Sequence, residues 1–192
     1  MSKQAKVLNE QEFKKLLKVC ELTRYKERNR MIVMLSFMLG LRAVEIAKLR
    51  VSNVISETNE AMDMIVLDKT QTKGNKRQTI IVNKRLKQEL LKYIVRYPNL
   101  IEHKEGFLLK TQKGNFNSQT IQNLFRHLYE LANIPQASSH SGRRTFITKL
   151  SENGVAVPII QKLARHSSLA TTQRYIEVSD DKLINAINTV SV

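Results

Sequence analysis

The stretch "SSHSGRRTFITKLSENG", residues 138–154, places His140 three positions ahead of Arg143, with Arg144 beside it, at the front of a helix that Gly154 ends. Taken by itself this is a basic, solvated helix start. Downstream, "VPIIQKLARHSS" reads as one more helix with Pro158 tolerated in its first turn, where the missing N–H has no intrahelical acceptor in any case. "LATTQRYIEVS" follows as a short helix. "DDKLINAINTVSV" then has an acidic start, which suits a helix N-terminus, and an apolar stripe of Leu183, Ile184, Ile187 and Val190.

Upstream the same helical period repeats. Asn9 followed by Glu12 fits a capping box, Leu8 and Phe13 fit the accompanying staple, and Phe13, Leu16, Leu17 and Cys20 fall at i, i+3, i+4 and i+7. That periodicity makes Cys20 a core residue rather than a nucleophile. A second helix runs from about Glu27 to Leu39 and stops at Gly40, and a short third one starts in "LRAVEIAKL". "MIVLDKTQTKGNKRQTIIV" then gives two β-rich runs around Gly74-Asn75, a pair compatible with a two-residue type II′ hairpin turn. Beyond it come a helix ended by Pro98, a strand-like segment and turn in "EGFLLKTQKGNFNSQ", and a helix capped by Ser118 that reaches Leu131. The expected fold is mainly α with a small antiparallel β-sheet, an α+β arrangement. The expected organisation is a single domain over 1–192, with 179–192 as a tail helix.

Composition narrows the partner. Lys and Arg number 32 against 17 Asp and Glu, a net charge of +15, with basic residues scattered along the whole chain. A folded domain so basic attracts a polyanion. The most apolar run, "MIVMLSFMLG" at 31–40, is about half the roughly 20 residues of a membrane span, so no membrane role is expected. No secretory leader is evident in "MSKQAKVLNE", and the single cysteine builds no disulfide framework, which suits a cytoplasmic protein with reduced Cys20. The absence of tryptophan and the low aromatic content, 6%, favour tracking of duplex phosphates over stacking of unpaired bases. No carboxylates cluster as Mg²⁺ ligands, Asp180 and Asp181 suit a helix start, and His103, His127, His140 and His166 have no zinc-like spacing with Cys20. No metal or cofactor is expected, so positive charge at a phosphate must come from side chains.

The side chains that context singles out are Arg42, at a junction of two helices and in reach of Glu45; Lys73, at the hairpin turn; and His166 with Tyr175, nine positions apart in "RHSSLATTQRY". Each alone also reads as a surface cation or a structural residue. Together the pieces "MLGLRAVEIAKLR", "TKGNKRQTIIV", "HSGRRTF" and "LARHSSLATTQRY", in that order from residue 38 to residue 175, resemble the tyrosine recombinase, or phage integrase, family. The resemblance implies a catalytic domain in which Arg42 and Arg143 bind the phosphate, Lys73 is the hairpin lysine, His140 and His166 are the two active-site histidines, and Tyr175 is the nucleophile. Lys69 and Lys76 compete with Lys73 for the lysine role.

It further implies site-specific cleavage and rejoining of double-stranded DNA through a 3′-phosphotyrosine. The protein would act as a homo-oligomer, a tetramer on the synapse whose tail docks in trans, with accessory DNA-bending proteins and a bacterial or phage-encoded, nucleoid-associated setting. The alternatives are a catalytically inactive duplex-binding module and a topoisomerase-like relaxation activity. Two motifs depart from the frequent pattern: His140-Ser141-Gly142-Arg143-Arg144 stands for His-x-Leu-Arg-His, and Ala164-Arg165-His166 for Leu-Gly-His. Family members usually carry a helical domain before the catalytic one. Only about a dozen residues precede the first helix here, which suggests either a catalytic fragment or a short one-domain recombinase like the fimbrial switch invertases.

Overall fold

The computed structural model describes residues 4–72, 74–176, 183–184 and 187–190. Its first helix, α1 (Glu10–Glu21), begins where the capping box places it: the Asn9 side chain accepts from the Glu12 N–H, and the Glu12 carboxylate accepts from the Asn9 N–H. Leu8, Leu16, Leu17 and Cys20 are buried and Phe13 rests on Phe37 with ring centroids 4.9 Å apart. Burial pushes the Cys20 thiol up to about 12, so it stays protonated and unreactive at neutral pH.

Nine of the fourteen residues of α2 (Lys26–Leu39) are buried. A helix apolar on every side has to be covered on every side. Here α1, α3 (Ala43–Ala47) and α4 (Lys84–Arg96) pack around it. The run read as too short for a membrane span is thus the central helix of the core, and no described helix is long and apolar enough to cross a membrane. Gly40 ends α2 in the left-handed conformation at φ +60°.

Strands β1 (Met64–Leu67) and β2 (Gln78–Ile81) pair antiparallel with Met64 opposite Ile81 and Leu67 opposite Gln78. Ile65, Leu67 and Ile80 point into the core while Met64 and Ile81 face out, the alternation that period-2 patterning requires. The connection differs from the two-residue turn expected at Gly74-Asn75. It occupies 68–77, because a 3-10 turn at Lys69–Gln71 is drawn in by buried Gln71, whose amide donates to the Lys48 carbonyl (2.7 Å) and to Asn53 Oδ1 (2.8 Å).

After α4, a short α5 (Asn99–Glu102) follows Pro98 directly, so the proline that ends one helix starts the next. A minimal second sheet pairs β3 (Lys110–Thr111) with β4 (Gly114–Asn115). Helix α6 (Ser118–Leu131) is capped by Asn117, not by Ser118: the Asn117 side chain accepts from the Thr120 N–H and Ser118 is already helical. Helix α7 (Ser141–Glu152) leads to Gly154, at φ +74°.

The chain forms two compact units, residues 1–146 and 147–192. The first holds the large apolar core of α1–α4 and α6. In the second, α8 (Val157–Ala164), with Pro158 in its first turn, packs on α9 (Leu169–Gln173). Asp180 and Asp181 lie outside the described residues.

Arg30 of α2 donates to Glu89 of α4 (3.0 Å), and that hydrogen bond, opposed by burial, holds the Glu89 carboxyl below the usual range. A carboxyl depressed in the folded state adds stability above its unfolded value, near 4.3, and loses it as pH falls through the folded value. Glu89→Gln should therefore cost about 1 kcal/mol at pH 7 in urea unfolding and lose less stability than the wild type between pH 6 and pH 3.

Candidate active site

The sequence-predicted residues divide between the units. Arg42, His140 and Arg143 lie in the first, His166 and Tyr175 in the second, and Lys73 lies outside the described residues.

In the first unit the α2 terminus builds the site. Because Gly40 turns left-handed, the chain leaves α2 and re-enters a helix after three residues, Gly40, Leu41 and Arg42, with Arg42 as the N-terminal cap of α3. Arg42 is held there by Glu45, whose carboxylate accepts from the Arg42 backbone N–H (2.9 Å) and from its Nη1 (2.8 Å). The Glu45 side chain is fully buried, a placement a carboxylate tolerates only with such charge-assisted donors. The Arg42 side chain keeps 23% of its surface exposed, enough to meet a ligand.

Arg143, only 5% exposed, comes from the first turn of α7 and donates from Nη1 to the Gly40 carbonyl at 2.7 Å. Arg143 is thus anchored on the turn that Arg42 follows by two positions. His140 directly precedes α7; its carbonyl accepts from the Arg144 N–H, and its side chain is exposed.

The approach of α7 to α2 depends on Gly142. A Cβ there would overlap Ser36 Oγ and sit 2.9 Å from the Phe37 ring. At Gly40 a Cβ would lie 2.7 Å from Phe146 of α7. The hairpin connection is closed at its base by Thr72, whose hydroxyl donates to the Lys76 carbonyl (2.8 Å) and accepts from the Lys76 N–H (3.2 Å). Lys69 and Lys76 are both exposed.

In the second unit, α8 ends at Arg165 in the left-handed conformation, φ +57°, and the His166 N–H reaches back to the Gln161 carbonyl. This is where the frequent Leu-Gly-His would supply a glycine. An arginine in that conformation costs about 1–2 kcal/mol. The His166 ring bonds through Nδ1 to the hydroxyl of fully buried Thr172 (2.9 Å) and stacks on Tyr175 at 5.7 Å between centroids, 24° between planes. The Tyr175 N–H donates to the Thr172 carbonyl, so one threonine holds the His166 ring by its hydroxyl and the Tyr175 backbone by its carbonyl.

Sequence reasoning missed Thr172, and it missed the Gly40 carbonyl as the arginine's acceptor. It also missed the pinning of the N-terminal segment onto α7, where Arg144 Nη1 donates to the Ala5 carbonyl (2.7 Å) and the Leu8 N–H donates to Thr145 Oγ1 (2.9 Å). The run "RRT" was the available signal for that last contact. Among the described residues no three His, Cys, Asp or Glu side chains group to hold a metal ion.

The phage integrase family model matches residues 6–182, and the chain belongs to that family. It is similar to the tyrosine recombinase XerA of Pyrococcus furiosus, 30% identical over 182 residues, covering 95% of this chain and 60% of that protein's length. Among solved structures, the crystal structure of XerA recombinase shares the fold with a TM-score of 0.74 at 24% identity, over 97% of this chain and 66% of that one. The Tn1549 transposon integrase in complex with a circular intermediate DNA does so with a TM-score of 0.78 at 17% identity, over 98% of this chain and 67% of that one.

Gly142→Ala should lower stability by about 2 kcal/mol through overpacking against Ser36 and Phe37. Gly74→Ala, with open space around the position, should change it by less than about 0.5 kcal/mol. Paired urea titrations of the two variants check the contrast.

Proposed function

We propose that the protein is a site-specific DNA recombinase that breaks and rejoins duplex strands through a 3′-phosphotyrosine. The observation that carries this reading is that buried Arg143 is anchored on the Gly40 carbonyl, two positions before Arg42 at the start of α3. Two guanidinium groups, ionised at any working pH, match the non-bridging oxygens of a phosphodiester and gain most when charge builds on them in the transition state. The stacking of Tyr175 on His166 supplies a nucleophile beside a hydrogen-bonding ring. The family membership and the DNA bound to the Tn1549 integrase support duplex DNA as the substrate.

In the proposed reaction the Tyr175 phenolic oxygen attacks phosphorus and its proton passes to His140 or to a water that His140 orients. The bond from phosphorus to the 5′-oxygen breaks, and Lys73 delivers the proton that this oxygen takes up. A phosphotyrosyl bond replaces the phosphodiester, and attack by a 5′-hydroxyl of another strand reverses the step. Covalent storage of the bond makes external energy unnecessary. His166 donates to a non-bridging oxygen, holding the phosphate for in-line attack.

A nicked suicide duplex resolved on a denaturing gel tests the chemistry. Wild type should give a covalent protein–DNA band in EDTA. Tyr175→Phe should give none while binding the duplex normally, and Arg143→Lys should cleave about 10²–10³-fold more slowly, since a point charge does not replace the fork. Cleavage retained by Tyr175→Phe overturns the nucleophile assignment, and duplex binding without any covalent band favours the inactive binding module.

The assembly is proposed to be a tetramer on two DNA sites, with the C-terminal segment docking on a neighbouring protomer. Leu183, Ile184, Ile187 and Val190 are 55–68% exposed, an apolar stripe that a second copy can cover. Accessory DNA-bending proteins and a place on the bacterial nucleoid complete the proposal. Deletion of residues 180–192 should abolish the synaptic complex on native gels while leaving the melting temperature of the free protein unchanged.

A further inference from the structure

Three of the five tyrosines, Tyr25, Tyr93 and Tyr97, line one cleft of about 620 Å³ in the first unit, far from the arginine turn. The N-terminal end of α2, the C-terminal end of α4, α5 and β3 form its walls. Along α2 the standard helical rise puts Arg28 about 18 Å from Gly40, so the cleft is a separate place on the same helix. Its volume lies in the range that holds small organic ligands.

Arg28 is the unusual group in it. Its guanidinium lies over the Tyr25 ring at 4.2 Å and the Phe116 ring at 5.1 Å, and it donates only to neutral oxygens: Asn29 Oδ1 (2.9 and 3.2 Å) and the Lys110 carbonyl (3.1 Å). No carboxylate pairs with it among the described residues. Arg30, two positions on, has Glu89 and Glu21, and Arg96 at the cleft wall has Glu27. Burial disfavours the Arg28 cation, and only the neighbouring tyrosines Tyr93, Tyr25 and Tyr97, not a carboxylate, offset part of that cost. Lys110 adds a second cation at the wall, against Glu102 on the rim.

We infer that this cleft binds a nucleotide unit, its planar base against Tyr25, Tyr97 and Phe107 and its phosphate at Arg28 and Lys110. These rings already pack against neighbours, Tyr25 with Arg24 (5.3 Å) and Arg28, Tyr97 with Tyr93 (4.8 Å) and Phe107 with Arg50 (5.9 Å), and a planar base can extend such contacts where an anion alone cannot. A base inside a duplex hides its faces in the stack, so the cleft selects unpaired nucleotides over duplex. Two sources share this chemistry, a free mononucleotide and the unpaired end of a DNA strand. The inference uses neither Tyr175 nor the arginine turn, so it stands or falls apart from the recombinase reading.

The test is fluorescence anisotropy of the full chain with a fluorescein-labelled six-residue oligothymidylate at 0.3 M salt, competed by thymidine monophosphate, inorganic phosphate and duplex. Thymidine monophosphate should compete at about ten-fold lower concentration than inorganic phosphate, and Tyr25→Leu should weaken oligothymidylate binding at least about five-fold while leaving duplex affinity within about two-fold. Arg28→Gln and Lys110→Gln should each weaken it. Lys14→Gln, which removes one exposed charge on α1, should not.

Equal affinities for the mononucleotide and the oligomer identify the free nucleotide as the source; a much tighter oligomer identifies the strand end. Thermal melts confirm that the variants fold, and Tyr25→Leu and Lys110→Gln decide the matter if Arg28→Gln does not fold. Competition by inorganic phosphate as effective as by the mononucleotide, or binding indifferent to Tyr25→Leu in a folded protein, overturns the inference and leaves general charge attraction.

Discussion

The hydrogen bond from Arg143 to the Gly40 carbonyl is the contact on which the first unit's site depends. A guanidinium 5% exposed needs compensation, and the C-terminal end of α2 provides it: the last carbonyls of a long helix carry the negative end of its dipole. The left-handed turn at Gly40 leaves that carbonyl accessible and swings the chain at once into α3, which sets Arg42 beside it. Gly142 allows the approach from the other side, since any side chain there would collide with Ser36 and Phe37. Two glycines and one carbonyl thus anchor Arg143 on the turn that Arg42 follows.

The remaining charges divide according to whether an acid answers them. Arg42 has buried Glu45, and Arg30 has Glu89; these pairs fix side chains against the core. Arg28 has aromatic faces and neutral oxygens instead. With 32 basic and 17 acidic residues, such unanswered cations are expected on a protein that meets polyanions, and their placement separates attraction at long range from recognition at a site. The second unit achieves its own local order with a different device: buried Thr172 takes the His166 ring through its hydroxyl and the Tyr175 backbone through its carbonyl, so the two rings stack without any ion pair between them.

Legibility followed the range of the interactions. The capping box at Asn9, the stop of α2 at Gly40 and the first-turn proline of α8 are set by neighbours within a few residues, and the sequence pattern displays them. The hairpin connection was misread because Gln71 is drawn toward Lys48 and Asn53, partners about twenty residues away, which turned an expected two-residue turn into the longer excursion over 68–77. The cap of α6 fell on Asn117 rather than Ser118 because adjacent residues of equal capping chemistry leave no local basis for choosing between them. Low aromatic content had argued against stacking surfaces, yet the fold gathers three tyrosines into one cleft, and gathering is invisible to composition.

By itself the sequence determined a mainly helical chain with a small antiparallel sheet, a strongly basic surface, and four motifs whose order and spacing mark the phage integrase family. These are properties of period, charge and local spacing. Only the tertiary structure decided that Arg143 would spend its charge on a backbone carbonyl, that Glu45 would be fully buried against Arg42, that Thr172 would hold His166, and that Arg28 would face aromatic rings without an acid. The physical reason is separation along the chain. Arg143 and Gly40 are 103 positions apart and Arg28 and Lys110 are 82 apart, and contacts of that span exist only once burial of α2 has brought its two ends against the rest of the core.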